Sequence, residues 1–277
     1  MVLNALTIDV EDYYHVSAFD SEVGFTNWEK QESRIERNID RLLYILACEG
    51  VKATFFVLGW IAEHFPNVVK AIHKAGHEIA THGYAHRLVY NQTPEEFQAD
   101  VQRSLDLIQD ITGERVLGYR APSFSITKSS LWAIEVLEAC GLKYDSSIFP
   151  TRPLVHNRYG FPGAPTRPYE IRPGFWEFPI TTFRFLGWNF PVGGGGWLRH
   201  YPYKLTYWGI HRVNAEGRPA LVYLHPWELD PDQPRLRGSF WRQFLHYRNL
   251  DKMEDRLRAL CRDFQFAPIC EVLHVQG

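Results

Sequence analysis

Short apolar runs alternate with helically spaced segments along most of this chain, and that alternation limits its fold more than any other feature. Leu3–Val10, residues 53–58, Glu78–Thr81, residues 116–119 and residues 142–144 read as strands. Between them, residues 34–49 carry Ile35, Ile39, Leu42, Leu43 and Leu46 at helical spacing, with Gly50 as the stop. Residues 66–75 form a shorter helix closed by Gly76, and Thr93-Pro94-Glu95-Glu96 is a capping box with proline at the first helical position. Phe97, Val101, Leu105 and Ile108 continue that helix, and Thr127 caps another carrying Leu131, Ile134 and Leu137. Later segments read as a strand at 176–180, a helix at 203–213, a strand at 220–224, a helix at 251–264 and a last strand at 267–273. Strands joined through helices run parallel, because a parallel pair needs a long crossover. Six or seven such units predict an α/β fold, a distorted (β/α) barrel of seven or so parallel strands.

The 277 residues, 45% of them hydrophobic, can bury one sizeable core, so residues 1–277 are expected to form a single domain. A formal net charge of -2 gives no general basic footprint for nucleic acid. The cluster Arg235, Arg237 and Arg242 reads as solvated surface. No apolar run reaches membrane-spanning length. The N-terminus lacks a basic-then-apolar secretory layout, so a cytoplasmic location is expected. Four cysteines are scattered without a CxxC pair and read as reduced thiols. From residue 149 to 200 the rhythm breaks into proline, glycine and aromatics, including four consecutive glycines at 193–196. No Lys-Ser/Thr follows them, which argues against a phosphate-binding loop and for a mobile or substrate-facing one.

Chemistry in parallel barrels collects at the C-terminal ends of strands, and the polar residues of this chain gather there. Asp9, Glu11 and Asp12 follow the first strand, and His82 and His86 follow the third. Arg120 follows the fourth, Asp145 the fifth and His225 a late one. Neutral imidazole is the commonest protein metal ligand. Histidines four residues apart share one face if the chain turns helically after His82.

Thr7-Ile8-Asp9-Val10-Glu11-Asp12, His82-Gly83-Tyr84-Ala85-His86, Arg120 and His225 together resemble the NodB-type polysaccharide deacetylases, the family 4 carbohydrate esterases. More narrowly, the run from Asp9 to Val16 and the run from Leu224 to Arg235 resemble a bacterial subgroup. That subgroup accompanies exopolysaccharide biosynthesis and exosortase systems, and it carries a C-terminal extension, here residues 227–277 packed on the domain. The resemblance implies the NodB-homology type of barrel and a hydrolase that removes N-acetyl groups from an N-acetylated oligo- or polysaccharide. Asp9 matches the catalytic base, Arg120 the arginine that pairs with it, and His225 the general acid. His82 and His86 match the metal histidines. The family's second Asp position holds Val10, and a related branch places the ligand carboxylate two residues after the base, at Glu11. Asp12 is the competitor, and strand alternation favours Glu11 because it points the same way as Asp9. Ser123 falls where a backbone N–H helps bind the oxyanion. Asp145 lies near a further motif but lacks its tryptophan partner.

The metal implied is divalent, zinc first, with cobalt or nickel also compatible. Two rivals stand beside this reading: a metal-free amidohydrolase of the allantoinase-like branch, and a non-catalytic carbohydrate-binding protein. For the irregular segment at 149–200, the expectation is a sugar-stacking wall over the barrel mouth, with Trp188 and Trp197 as wall residues and the glycines allowing movement. The alternative, tryptophans filling the core beneath a long loop, stands equally.

Overall fold

A computed structural model describes residues 2–152 and 160–276 of the chain; residues 153–159, within the irregular segment, lie outside the described residues. Among the described residues a sheet of nine strands forms the centre. Its first half follows the expected alternation. Strand β1 (Leu3–Val10) leads to helix α1 (Ile35–Glu49), β2 (Thr54–Val57), α2 (Gly59–His64), α3 (Pro66–Lys74) and β3 (Glu78–Thr81). Then come α4 (Pro94–Thr112), β4 (Gly118–Tyr119), α5 (Trp132–Ala139) and β5 (Tyr144–Asp145). The capping box forms as the sequence predicts: Thr93 and Glu96 exchange side-chain-to-backbone bonds, and Gly113 ends α4 in the left-handed region.

The second half departs from that rhythm. Strands β6 (Tyr169–Arg172) and β7 (Phe175–Glu177) are antiparallel to each other, and β7 joins β5 in parallel. A separate antiparallel hairpin, β8 (Thr182–Phe185) and β9 (Trp188–Pro191), stands off the main sheet. Short helix α6 (Gly196–His200), α7 (Tyr203–Ala215), strand β10 (Leu221–Leu224), α8 (Phe240–Tyr247) and α9 (Met253–Asp263) follow. The expected last strand at 267–273 is instead strand β11 (Gln265–Ala267) followed by helix α10 (Ile269–Leu273). Pro268 stands at the junction, where it cannot donate to a ladder but is tolerated just before a helix.

The sheet order is β10-β1-β2-β3-β4-β5-β7-β6, with β11 also paired to β1. The seven strands from β10 to β7 are mutually parallel. The result is a curled, parallel-rich half-barrel, and among the described residues its two end strands do not pair with each other. Strand alternation sorts its residues. On β1, Leu6, Ile8 and Val10 pack outward with Ile39, Leu42 and Leu46 of α1, while Ala5 joins Phe56, Ala80, Tyr144 and Leu221 in the interior. Helix α10 closes the floor with Ile269 and Leu273, and the Ile269 N–H donates to Thr54 Oγ1 at 2.7 Å.

The glycine run has a packing role. Residues 192–195 lie along the open edge of β10: Tyr223 N–H donates to the Gly193 carbonyl at 2.6 Å, and Gly195 N–H to the Tyr223 carbonyl at 2.8 Å. A Cβ on Gly193 would stand 2.6 Å from the Leu221 carbonyl, one on Gly195 2.6 Å from the Tyr223 ring, and one on Gly194 on the Tyr223 carbonyl itself. The glycines thus let one backbone approach another along the β10 edge, and of the mobile or substrate-facing loop expected from sequence, Gly195 and Gly196 line the cavity at the strand ends. Gly194 also has a φ of 127°. Gly194→Ala is expected to destabilise the fold by roughly 3 kcal/mol or more, a backbone-clash effect that a thermal melt detects. A melt unchanged from the parent would show that the edge yields.

Candidate active site

The strand ends converge. Glu11, His82 and His86, all buried, bring one donor atom each to within 4.8 Å of one another. Glu11 Oε1 lies 3.0 Å from His82 Nε2 and 3.1 Å from His86 Nε2. Glu11 arrives by a turn rather than by extended alternation: its N–H donates to the Asp9 carbonyl at 2.9 Å, closing a three-residue turn. The two histidines likewise meet without a helix. Gly83 and His86 both take positive φ, 73° and 50°, and the chain folds back so that the rings sit 5.5 Å apart. Asp100 holds this turn by accepting from the Tyr84 N–H at 2.7 Å and the Ala85 N–H at 3.3 Å.

Protonation follows from the partners. The Arg120 carbonyl can only accept, so His82 Nδ1, at 2.7 Å, carries the proton and donates. A backbone carbonyl behind one ring nitrogen is the usual orienting partner of a metal-binding imidazole. His82 Nε2 points at Glu11, donating to it when the ring is protonated and offering a lone pair to an ion when it is neutral. Burial raises the Glu11 carboxyl, but His86 and His82 more than offset it and hold the group well below the usual carboxylate range. A cation between one anionic oxygen and two imidazole nitrogens turns mutual lone-pair repulsion into coordination, so this donor set fits a divalent metal. Asp12 stands apart from it. Its oxygens accept from the Tyr13 N–H at 3.0 Å, Ser33 Oγ at 2.8 Å and the Arg34 N–H at 2.7 Å, which ties the loop to the start of α1. Asp12 is therefore corrected from competing ligand to loop anchor.

Beside the three donors lies a buried ion pair. Arg120 Nη1 donates to Asp9 Oδ1 at 2.6 Å and to Thr7 Oγ1 at 2.8 Å. Its other nitrogens donate to Ser146, to the carbonyl at 3.1 Å and to Oγ at 2.9 Å. All three nitrogens of the fork are hydrogen-bonded, as a buried guanidinium requires. Arg120 thus fixes His82 through its carbonyl and Asp9 through its side chain. Asp9 Oδ2 remains directed to the cavity, 3.9 Å from His225 Nε2.

His225 has a partner that sequence reasoning missed. Glu228 accepts from the His225 backbone N–H at 3.0 Å, lies 3.3 Å from its Nδ1, and takes the Arg199 Nε–H at 2.6 Å. Burial disfavours a charged His225, but the Glu228 bond and the carboxylates of Glu11 and Asp9 outweigh it and push the imidazole up to about 9. The spacing of His225 and Glu228 is that of a capping box, so a local signal for the pair existed. Arg199, in the glycine-rich segment, had none.

Asp9, Glu11, His82, His86 and His225 line one cavity of about 180 Å³, walled by Phe124, Phe149, Tyr223 and Trp227. Ser123 is at its edge, and it and Phe124 adopt φ of 51° and 53°. Consecutive left-handed non-glycine residues are strained, and such strain concentrates at functional sites. The expected tryptophan wall lies elsewhere. Trp188 is half exposed on the β8–β9 hairpin beneath the Arg152 guanidinium, and Trp197 packs beside Tyr201; neither lines the cavity. The hairpin's own pairing carries Trp188 away from the mouth. Asp145 also lies outside it, behind Arg120, accepting from Ser147 Oγ at 2.5 Å.

Fold and site together define an α/β half-barrel with a candidate hydrolytic centre at the C-terminal ends of its strands. Comparison with known proteins agrees. Residues 19–144 match the family model "Polysaccharide deacetylase", and residues 146–274 match "Domain of unknown function (DUF3473)". The peptidoglycan deacetylase of Helicobacter pylori is 33% identical over 139 residues, 50% of this chain and 42% of that protein. The peptidoglycan-N-acetylglucosamine deacetylase of Bacillus cereus is 34% identical over 96 residues, 34% of this chain and 35% of that protein. The matches thus span less than half the length of these relatives. Among solved structures, a Mycobacterium smegmatis protein provisionally described as a polysaccharide deacetylase superposes with a TM-score of 0.67 at 20% identity, covering 99% of this chain and 90% of that one. A CE4 family pseudoenzyme from Bacillus anthracis superposes at 0.51 with 17% identity, covering 98% and 65%, so the fold by itself does not decide activity. Over residues 19–144 the chain is thus similar to polysaccharide deacetylases.

Proposed function

We propose that the protein is a metal-dependent N-deacetylase acting on N-acetylated sugars of a polysaccharide or its precursor, in exopolysaccharide biosynthesis. The observation that carries this reading is the cavity shared by the Glu11–His82–His86 donors, Asp9 and His225, with Arg120 paired to Asp9. Glu11, His82 and His86 would hold the ion, zinc first and cobalt or nickel next. When bound, such an ion supplies Lewis acidity and lowers the pKa of water. Asp9 Oδ2 accepts the proton of the attacking water, and Arg120 keeps that carboxylate oriented. The Ser123 backbone lies at the cavity edge, where an N–H can meet the developing negative charge on the acyl oxygen. His225 delivers its proton to the amine as the C–N bond breaks, releasing acetate and the free amino sugar. Residues 1–277 act as one domain in this reading, since β10, which delivers His225, pairs with β1, which delivers Asp9.

The metal-free rival is opposed by the three converging donors, and the non-catalytic one by Asp9 and His225 facing the same cavity while Arg120 pairs with Asp9. Acetate release from N-acetylated chitooligosaccharides, with and without chelation and metal restoration, tests the proposal. Release that persists after complete metal removal would favour the metal-free chemistry.

The pH dependence follows from His225. An imidazole raised to about 9 stays protonated, and competent as an acid, until the pH climbs through that value. Log kcat/KM is therefore expected to fall on the alkaline side, at a pH below 9 once a cation on Glu11 cancels that carboxylate's share. Glu228→Gln removes a carboxylate that favours the charged imidazole, so the limb should move toward lower pH by about one unit or more. An alkaline limb at the same pH in both proteins would rule out this role for Glu228.

A further inference from the structure

Helix α8 is built inside out. Its polar residue His246 is buried, lies 3.2 Å from Gln233 Oε1 and stacks on Trp227 at 4.2 Å. Its large apolar residues face solvent: Phe240 is 74% exposed, Trp241 68%, Phe244 38% and Leu245 51%. Positions i, i+1, i+4 and i+5 form one stripe on a helix. A contiguous exposed stripe of this kind marks a contact surface rather than ordinary solvated protein.

The segment that carries the stripe has charge of one sign. Between residues 233 and 250 there are four arginines, Arg235, Arg237, Arg242 and Arg248, and no aspartate or glutamate. The Arg248 guanidinium lies 5.0 Å from the Phe244 ring, and that of Arg235 lies 4.8 Å from the Tyr247 ring. Arg242 pairs with Glu22 at 2.9 Å, which leaves the surround positive. An occupant must therefore be apolar and anionic at once. A second copy of the chain is unsuited, because a two-fold contact sets the patch against itself, arginine facing arginine. A neutral glycan is less suited, because it offers no negative charge to the arginines beside the aromatic side chains. An anionic lipid surface meets both demands: aromatic and leucine side chains enter the interfacial layer while arginines meet headgroup phosphates.

The geometry points to α8 as a docking element for an anionic membrane surface. No helix among the described residues is long and apolar enough to cross a membrane; α8 lies on the surface instead. The docking element is tied to the cavity rim. Trp227, which lines the cavity, stacks on His246 from one side and His225 from the other. Arg199 donates to the carbonyls of Leu245 and His246 as well as to Glu228. The membrane contact does not depend on the hydrolytic reading, and it gives the basic cluster a partner where the sequence predicted plain solvation.

The test is co-sedimentation of the full chain with vesicles of phosphatidylglycerol and phosphatidylcholine, against vesicles of phosphatidylcholine alone. Partitioning is expected into the anionic vesicles only, and it should weaken as salt rises. Trp241→Ser with Phe244→Ser, and separately Arg235→Gln with Arg248→Gln, should each lower it by on the order of tenfold or more. Thermal melts and acetate release from a soluble oligosaccharide should match the parent. The arginine variant keeps the test decisive if the aromatic one misfolds. Failure of the parent to bind anionic vesicles, or parent-like binding by the arginine variant, would overturn the proposal. So would a parent dimer in sedimentation equilibrium that the aromatic variant dissociates, since the stripe would then be a self-interface.

Discussion

His82→Ala is expected to lower affinity for a divalent metal by roughly 100-fold or more and to abolish turnover. Even partners one layer behind a metal ligand are worth about 10- to 100-fold in affinity, and His82 places Nε2 itself 3.0 Å from Glu11 Oε1. His86→Ala and Glu11→Gln should behave alike, because each donates one atom to the same buried cluster. Asp12→Asn is the discriminating control. Its carboxylate is occupied by Tyr13, Ser33 and Arg34, so metal content should be unchanged while stability falls by about 1 kcal/mol, as for loss of a cap. Titration calorimetry with zinc and elemental analysis of the purified variants measure both. Parent-like affinity in His82→Ala, or metal loss in Asp12→Asn, would reverse the ligand assignment.

The second large effect separates proton transfer from coordination. Asp9→Asn and His225→Ala should retain fold and metal yet lose roughly 100- to 10,000-fold in turnover, the usual range for acid–base groups. Asp9 binds Arg120 through one oxygen and turns the other toward His225, so asparagine keeps the shape and removes the base. Acetate release measured on variants of known metal content checks this. If Asp9→Asn arrives without metal, Asp9 belongs to the ligand set and not to the base position.

Strand β1, helix α4 with its Thr93 capping box, and β3 were all legible in the sequence, because each is specified by its own local pattern of burial and capping. The gathering of Asp9, Glu11, His82, Arg120 and His225 was legible too, since parallel strands with helical crossovers put their C-terminal ends on one side. Elsewhere local patterns misled. Residues 267–273 are apolar enough for a strand, yet Pro268 and the need to close the barrel floor make α10. The glycine run reads as a loose loop until Tyr223 is brought against it. Trp188 reads as a mouth residue until the β8–β9 pairing takes it elsewhere.

What the sequence by itself determined was the set of chemical groups and the strand ends that carry them, because periodicity and capping act within a few residues along the chain. Tertiary structure decided which groups touch. It put Glu11 and not Asp12 beside His82 and His86, set Arg199 behind Glu228, and turned the apolar side of α8 outward. Each of those outcomes depends on a contact between segments distant in sequence or on a non-helical turn, and neither is encoded in local spacing.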